Sequence, residues 1–143
     1  METKLTTPAD ISRLEALVLA QPQVDLRTEH ALFDGHYART IFIPAGTVLI
    51  GARHKTDHMN VAMGDITVTT DSGPTRLTGM NIIPTRAGSK RAGYAHADTV
   101  WITICKTQLT DIEAIENELV EEADRLQTRQ GVLPYTPFLE LEN

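Results

Sequence analysis

The sequence predicts a mainly β protein, an antiparallel β-barrel or sandwich with a short helix before it and an amphipathic helix after it. Between residues 39 and 106, short apolar runs rich in β-branched residues are separated by Gly, Pro, Asn and Asp. No helical periodicity interrupts these runs, which favours antiparallel pairing over a parallel sheet with crossover helices. Patterns typical of helix starts stand only on the two flanks.

The chain has 143 residues, of which 41% are hydrophobic and 22% charged. These values are ordinary for a globular protein and exclude disordered, collagenous and coiled-coil chains. The length predicts one domain in three parts. These are an N-terminal helix and lead-in over 1–34, a barrel over 35–109, and a C-terminal helix and tail over 110–143 that pack on the barrel.

The N-terminal helix is predicted to begin around Thr7, whose hydroxyl caps it, with Pro8 at the first helical position and Asp10 in the first turn. It is predicted to end near Pro22, because the residue before a proline is disfavoured in the α conformation. The residues expected on its apolar face are Ile11, Leu14, Leu17 and Val18.

Seven apolar runs are predicted as strands: 39–43, 47–51, 59–63, 66–70, 75–78, 80–84 and 99–105. Turns are predicted at 44–46, 63–65 and 71–74, where Gly, Pro and Asp cluster. In the last run, Trp101 is expected in the core because an alternating strand buries one face. Cys105, the single cysteine, is expected to be a small buried hydrophobe, and a single cysteine excludes an intrachain disulfide.

The second helix is predicted to begin with a capping box, in which the Thr110 hydroxyl and the Glu113 carboxylate each accept from a backbone N–H. Apolar residues at helical spacing continue until Gly131 and Pro134 end it. The apolar tail over 133–143 is expected to be extended and to pack on its own domain or on a neighbouring subunit.

The net charge of −6 argues against nucleic-acid binding, which needs a basic surplus. By segment the charge is −3 over 1–34, +4 over 35–109 and −7 over 110–143, so a basic barrel lies between acidic flanks. No run approaches the roughly 20 apolar residues of a membrane helix, and no secretory signal is visible. We therefore expect no membrane partner and a cytoplasmic location.

His54, His58 and His96 lie in the strand region and are the candidate metal ligands. His54 is expected at the end of one strand and His58 at the start of the next. Two imidazoles on either side of a tight connection can converge on one divalent transition metal ion. The alternative is that they are polar residues at the mouth of a barrel.

The chain resembles a small single-domain cupin, and in particular the short cupin-like proteins of tailed bacteriophages and prophages. The pieces that carry the resemblance, in order, are residues 38–49, His54, His58, the Gly64-Asp65 pair, 84–88, 98–101 and 110–113. It covers roughly residues 30–126. The resemblance implies a conical antiparallel barrel with any ligand in its mouth, a homo-oligomer, and phage structural proteins as partners. It also implies a location in the host cytoplasm or the virion.

In cupins, a His-x-His pair, a later Glu and a final His supply the metal ligands. Here Asp57 or Asn60 stands near the Glu position, and Lys90 and Arg91 stand where the final His is expected. With Arg86, these two cations would repel a divalent ion and suit an anion. The alternative is a solubilising loop, or ion pairs with the acidic flanks.

Three functions follow for this sequence. The first is a non-enzymatic binding or structural module of cupin type, phage-related and homo-oligomeric. The second is a metal-dependent enzyme, an isomerase, epimerase or dioxygenase, acting on a small polar substrate. The third is an anion- or sugar-binding module that uses Arg86, Lys90 and Arg91.

Overall fold

The structure is a computed structural model that describes residues 8–20, 26–121, 123 and 136–140. It contains two helices and eight strands. In chain order these are α1 (Pro8–Leu19), β1 (Arg27–Phe33), β2 (His36–Ile43), β3 (Val48–Ile50), β4 (His58–Thr70), β5 (Gly73–Thr85), β6 (Ala92–Ala95), β7 (Thr99–Lys106), α2 (Ile112–Leu119) and β8 (Thr136–Glu140). The predicted mainly β, antiparallel class with a helix on each flank is confirmed.

All eight strands belong to one sheet, with the order β3-β6-β4-β7-β2-β1-β8 and β5 paired with β4. Every pairing is antiparallel except that of β1 with β8. β8 lies in the predicted extended tail, so that part of the tail pairs with the chain's own sheet.

β4 pairs with β5 along its whole length, while its other edge pairs first with β7 and then with β6. The change of partner occurs at Gly64, where the sequence predicted a turn, and that prediction was wrong. At Gly64 φ is +143°, and an added Cβ would lie 2.6 Å from the Thr99 hydroxyl. The glycine therefore permits the close approach of the start of β7 while the strand runs on.

β1 was not predicted as a strand, although the sequence carries a signal for it. Asp34 and Gly35 both have positive φ, +49° and +73°, and join β1 to β2. An Asp-Gly pair between two strand-forming runs is a strong hairpin signal, because both residues tolerate the left-handed region. The sheet therefore begins at Arg27, within the segment assigned to the lead-in.

α2 begins one residue later than the capping box predicted. Asp111 is the N-cap, and its carboxylate accepts from the Ala114 N–H at 3.0 Å. The helix also ends at Leu119, because Val120 adopts an extended conformation and forms a bridge with His54. The predicted continuation over 124–131 lies outside the described residues.

Two apolar clusters form the core. One joins α2 to the ends of β2 and β7 and contains Tyr37, Cys105, Ile115, Leu119, Val120 and Ala123. The other lies inside the barrel and contains Ile43, Ala62, Ile66, Val68 and Ala95. Within the part of the chain that is described, neither helix has the length and apolar character that a membrane span requires.

Candidate functional site

A cavity of about 620 Å³ lies between these clusters, a suitable size for a small-molecule ligand. The inner faces of the strands form its walls, and residues 51–54 and 89–91 form part of its rim. α1 lies against it through Leu14, Glu15, Leu17 and Val18. Leu17 is nonetheless 66% exposed, so it lies at the edge of the cavity rather than in a packed helix interface.

One wall of the cavity is polar, because a row of polar residues crosses adjacent strands as direct partners. Arg39 on β2 is paired with Thr103 on β7, and Thr103 with Asn60 on β4. The Thr103 hydroxyl donates to Asn60 Oδ1 at 3.0 Å. We call Arg39, Thr103 and Asn60 the polar row; His30 on β1, the partner of Arg39, extends it.

Thr85 at the end of β5 connects the polar row to the rim. Its hydroxyl accepts from Asn60 Nδ2 at 2.7 Å and from Arg91 Nη2 at 3.2 Å. Thr85 is also the direct cross-strand partner of His58. Arg91 and His58 are thus held on two sides of one buried threonine.

The three predicted anion-binding residues lie in different surroundings. Lys90 and Arg91 both line the cavity. Lys90 Nζ pairs with Glu15 Oε2 on α1 at 2.7 Å, while Arg91 Nη1 donates to the Thr69 carbonyl at 2.8 Å. Arg86 is almost fully exposed, pairs with Asp57 at 3.3 Å and does not line the cavity.

His54 and His58 are brought together, as their sequence positions suggested. Their ring centroids are 4.1 Å apart with an interplanar angle of 31°, and both rings line the cavity. Burial, together with the nearby His58 and Arg39, lowers the pKa of His54 to about 4. His54 is therefore neutral at pH 7.

The two rings have the same hydrogen-bonding arrangement. His54 Nδ1 lies 3.1 Å from the Ala52 carbonyl, and His58 Nδ1 lies 3.0 Å from the Thr56 carbonyl. A carbonyl oxygen can only accept, so Nδ1 carries the proton in each ring. In the neutral form, Nε2 is then an acceptor in both residues.

His96 lies elsewhere. Its Nε2 is 2.7 Å from the Thr67 hydroxyl, its ring meets Tyr94 edge-on, and it does not line the cavity. Among the described residues, no group of three or more His, Cys, Asp or Glu side chains is arranged to hold a metal ion. Asp57, near the expected Glu position, instead accepts from the Ala87 N–H at 2.7 Å, which together with Arg86 lowers its pKa.

Sequence reasoning missed Arg39, Thr103 and Thr85 as site residues. A signal for the first two exists in the alternation of their strands, since residues 37, 39, 41 and 43 on β2 meet 105, 103, 101 and 99 on β7. Trp101 packs against the inner core as predicted, and it also lines the cavity. Cys105 is buried as predicted, and burial raises the pKa of its thiol to about 11.

No protein-family model matches the chain. No curated protein matches it either. Solved structures similar to it include a cupin superfamily protein from Desulfitobacterium hafniense, with a TM-score of 0.49 and 12% identity over 62% of this chain and 83% of the other.

A cupin domain from Bordetella pertussis Tohama I is similar with a TM-score of 0.48 and 16% identity, over 62% of this chain and 99% of the other. A conserved protein of unknown function from Streptococcus pyogenes is similar with a TM-score of 0.47 and 15% identity, over 62% of this chain and 80% of the other. The chemistry of the site follows from the residues of this chain.

Proposed function

We propose that this chain is a non-enzymatic, cupin-type module that binds a small anionic ligand in the barrel cavity. The observation that carries the proposal is Arg91, a cation on the cavity wall that forms no ion pair with any described carboxylate. Within residues 8–20 and 26–121, no carboxylate forms an ion pair with its guanidinium. Its Nε is buried and has no hydrogen-bond partner among the described residues.

An unpaired cation in a desolvated position costs free energy. Burial accordingly lowers the pKa of Arg91, and the carboxylate of Asp71 offsets this only in part. A ligand carboxylate or phosphate in the cavity would supply the missing negative charge. Arginine suits that task because its planar guanidinium can donate two parallel hydrogen bonds to either group.

The other cations of the wall differ from Arg91 because each already has a carboxylate. Arg39 Nη1 lies 3.6 Å from Glu116 Oε2, and Lys90 pairs with Glu15. Lys90 is nevertheless placed to serve a ligand, because Glu15 belongs to α1, which also borders the cavity. We expect a bound anion to compete with Glu15 for Lys90.

The test is titration of the metal-free protein with succinate and with inorganic phosphate, in the presence of EDTA. Trp101 is the only tryptophan and lines the cavity, so its fluorescence reports binding directly. We expect saturable binding and a rise in melting temperature. The variant Arg91→Gln should bind roughly 10- to 100-fold more weakly, the usual effect of losing a charged hydrogen-bond partner.

Arg86→Gln is the matched control, because it removes an equal charge from the same stretch of chain but outside the cavity. It should bind like the wild type. Equal weakening in both variants would mean that general charge, not the cavity, attracts the anion. The absence of saturable binding by either anion in the wild type would overturn the proposal.

The second candidate function is a metal-dependent enzyme, favoured by the adjacency of His54 and His58. The residues fit a three-ligand metal centre poorly, because His96 is not part of the pair and Lys90 and Arg91 make the nearby wall positive. Elemental analysis of untagged protein tests this alternative. A stoichiometric transition metal that is lost in His54→Ala and His58→Ala would favour the enzyme.

We further propose that the module is a homo-oligomer that uses the outer face of β4 and β5. Met59 and Met63 on β4 and Met80 and Ile82 on β5 are 37% to 68% exposed, and Met63 is the direct partner of Met80. A second copy is the proposed occupant, since each chain brings the same apolar face. Sedimentation analysis of Met80→Ser/Ile82→Ser should show a smaller species than the wild type; an identical mass would count against this face.

The phage-related, structural part of the proposal rests on the sequence resemblance. It predicts that the protein is encoded beside phage structural genes and cosediments with particles. A protein that remains entirely in the particle-free fraction would refute the virion role and leave ligand binding unaffected.

A further inference from the structure

We propose that the ligand of the cavity is a hydroxycarboxylate, a small acid whose hydroxyl group donates a hydrogen bond to the Nε2 atoms of His54 and His58. This inference rests on the proposed function, because it places the carboxylate at Arg91. It extends that function by defining what the rest of the ligand must carry.

The first step is the fixed polarity of the imidazole pair. Both Nδ1 protons are directed to backbone carbonyls, those of Ala52 and Thr56. These carbonyls belong to the chain immediately before each histidine, so the hydrogen bonds hold the ring orientation as well as the tautomer. In its neutral form, each ring therefore offers only an acceptor at its remaining nitrogen.

The second step is that no described residue uses these acceptors. The hydrogen bonds of the two rings with described residues are the two at Nδ1, and the rings contact each other. The amide of Asn60 on the same wall differs, because it is bonded at both ends, to Thr85 and Thr103. The two imidazole Nε2 atoms are thus acceptors on the cavity wall that no described residue uses.

The third step is the proximity of cation and acceptors. His58 is directly across the strand pair from Thr85, and the Thr85 hydroxyl accepts from Arg91 Nη2. The backbone links the same elements, because the Gly51 N–H donates to the Arg91 carbonyl at 2.9 Å and the Gly88 N–H to the His54 carbonyl at 2.8 Å. An acid group and a nearby hydroxyl on one small molecule match this arrangement of a donor beside acceptors.

A simple anion such as acetate satisfies Arg91 but leaves the imidazole acceptors without a partner. A neutral sugar can donate a hydrogen bond to the imidazole acceptors but leaves Arg91 without an anion. A binding site that hydrogen-bonds a ligand hydroxyl discriminates strongly against an analogue without it, because the protein group is then desolvated and unpaired. The hydroxycarboxylate class follows from the two requirements together.

The test uses two matched ligand pairs with metal-free protein in EDTA. Malate and succinate differ by one hydroxyl, while glucuronate and glucose differ by the acid group. We expect malate to bind at least about 10-fold more tightly than succinate, and glucuronate more tightly than glucose. Equal affinity for malate and succinate would overturn the inference while sustaining the proposed function. If malate, succinate and glucuronate all fail to bind, both the inference and the proposed function are overturned.

The variants His54→Phe and His58→Phe keep an aromatic ring of similar size and remove the acceptor. In each, the preference for malate over succinate should fall toward equality while succinate affinity changes less than twofold. His96→Phe, which changes a histidine outside the cavity, is the matched control and should keep the preference. Loss of the preference in His96→Phe as well would contradict the assignment to the pair.

The wild-type protein provides a measurement that needs no variant. At a pH that keeps both imidazole rings neutral, their ¹⁵N chemical shifts should show a proton on Nδ1 and an unprotonated Nε2, and malate but not succinate should shift Nε2. A proton on Nε2 in both rings would refute the inference. So would a preference for malate that arises only after a divalent metal is added, because a metal ion would then occupy the acceptors.

Discussion

Two neighbouring rows of side chains on the inner face of the same sheet have opposite character. In the polar row, Arg39, Thr103 and Asn60 face the cavity. At a distance of two positions along the same three strands, the residues are apolar. They are Ile41, Trp101 and Ala62, which we call the apolar row. The two rows lie on the same strands, in the same register, and face the same way. The fold alone therefore does not require polar side chains at the positions of the polar row.

β4 displays the same contrast along its length. In its first half, His58 and Asn60 point inward while Met59 and Met63 are exposed. In its second half the usual order returns: Ile66 and Val68 are buried inside, and Asp65 pairs with Arg76 outside. Where the interior is proposed to bind a ligand and the exterior to meet a second copy, the ordinary inside-outside pattern is inverted.

The largest expected effect comes from breaking the polar row at Arg39. Arg39→Leu removes the cation that pairs with the buried Glu116 carboxylate, which should lower the free energy of unfolding by about 3–5 kcal/mol. Chemical denaturation with urea measures the change.

Arg39→Leu/Glu116→Leu is the control, because it removes both charges and leaves an apolar contact. Replacing both partners of a buried ion pair by apolar residues is often neutral or stabilising, so the double variant should recover most of the loss. A double variant as unstable as the single one would show that Arg39 acts through packing rather than charge.

The apolar row should respond to loss of volume instead of charge. Trp101→Ala is expected to cost about 3 kcal/mol, the lower end for large aromatic truncations, because Trp101 is only partly buried. Trp101→Phe should cost much less. Thermal and urea unfolding at low and high salt distinguish the rows, since the Trp101→Ala loss should not depend on salt; a salt-dependent loss would contradict the comparison.

The last expected effect is a gradual pH dependence at the end of the polar row. Burial, with the nearby Arg39, lowers the pKa of His30 from 6.5 to about 4, and its Nδ1 lies 2.6 Å from the Tyr37 hydroxyl. Below pH 6.5 the unfolded chain takes up a proton that the folded protein does not. The free energy of unfolding should therefore decrease from pH 6.5 toward 4, by up to about 1.4 kcal/mol per pH unit from this group.

His30→Gln removes this contribution and should give a shallower pH dependence of unfolding between pH 6.5 and 4. His54, whose pKa is also lowered to about 4, titrates in both proteins, so the difference between the two curves isolates His30. Parallel curves would show that His30 is protonated in the folded protein already near pH 6.5.

Much of the fold could be predicted from local sequence. Runs of β-branched residues located six of the eight strands in whole or part, counting the extended tail, and the helix-start patterns located both helices to within a residue or two. The errors arose where tertiary contacts override local signals. Gly64 is typical of a turn, yet it allows β7 to approach a continuous β4. α2 ends early because Val120 pairs with His54.

The site was only partly predictable. His54 and His58 are four positions apart, so their proximity follows from the chain itself. Arg86 is equally close to Lys90 in sequence and yet lies outside the cavity that Lys90 and Arg91 line. Which cation faces the cavity depends on how the loop after β5 packs against residues 51–54. No local pattern specifies that.

The sequence by itself determined the mainly β class, the basic barrel between acidic flanks, and the imidazole pair. The tertiary structure alone decided that Arg39, Thr103 and Asn60 form one row and that Arg91, unlike Arg39 and Lys90, forms no ion pair with a described carboxylate. The physical reason is register: a cross-strand contact joins residues far apart in sequence, and a shift of one residue would turn each of these side chains to the opposite face of the sheet.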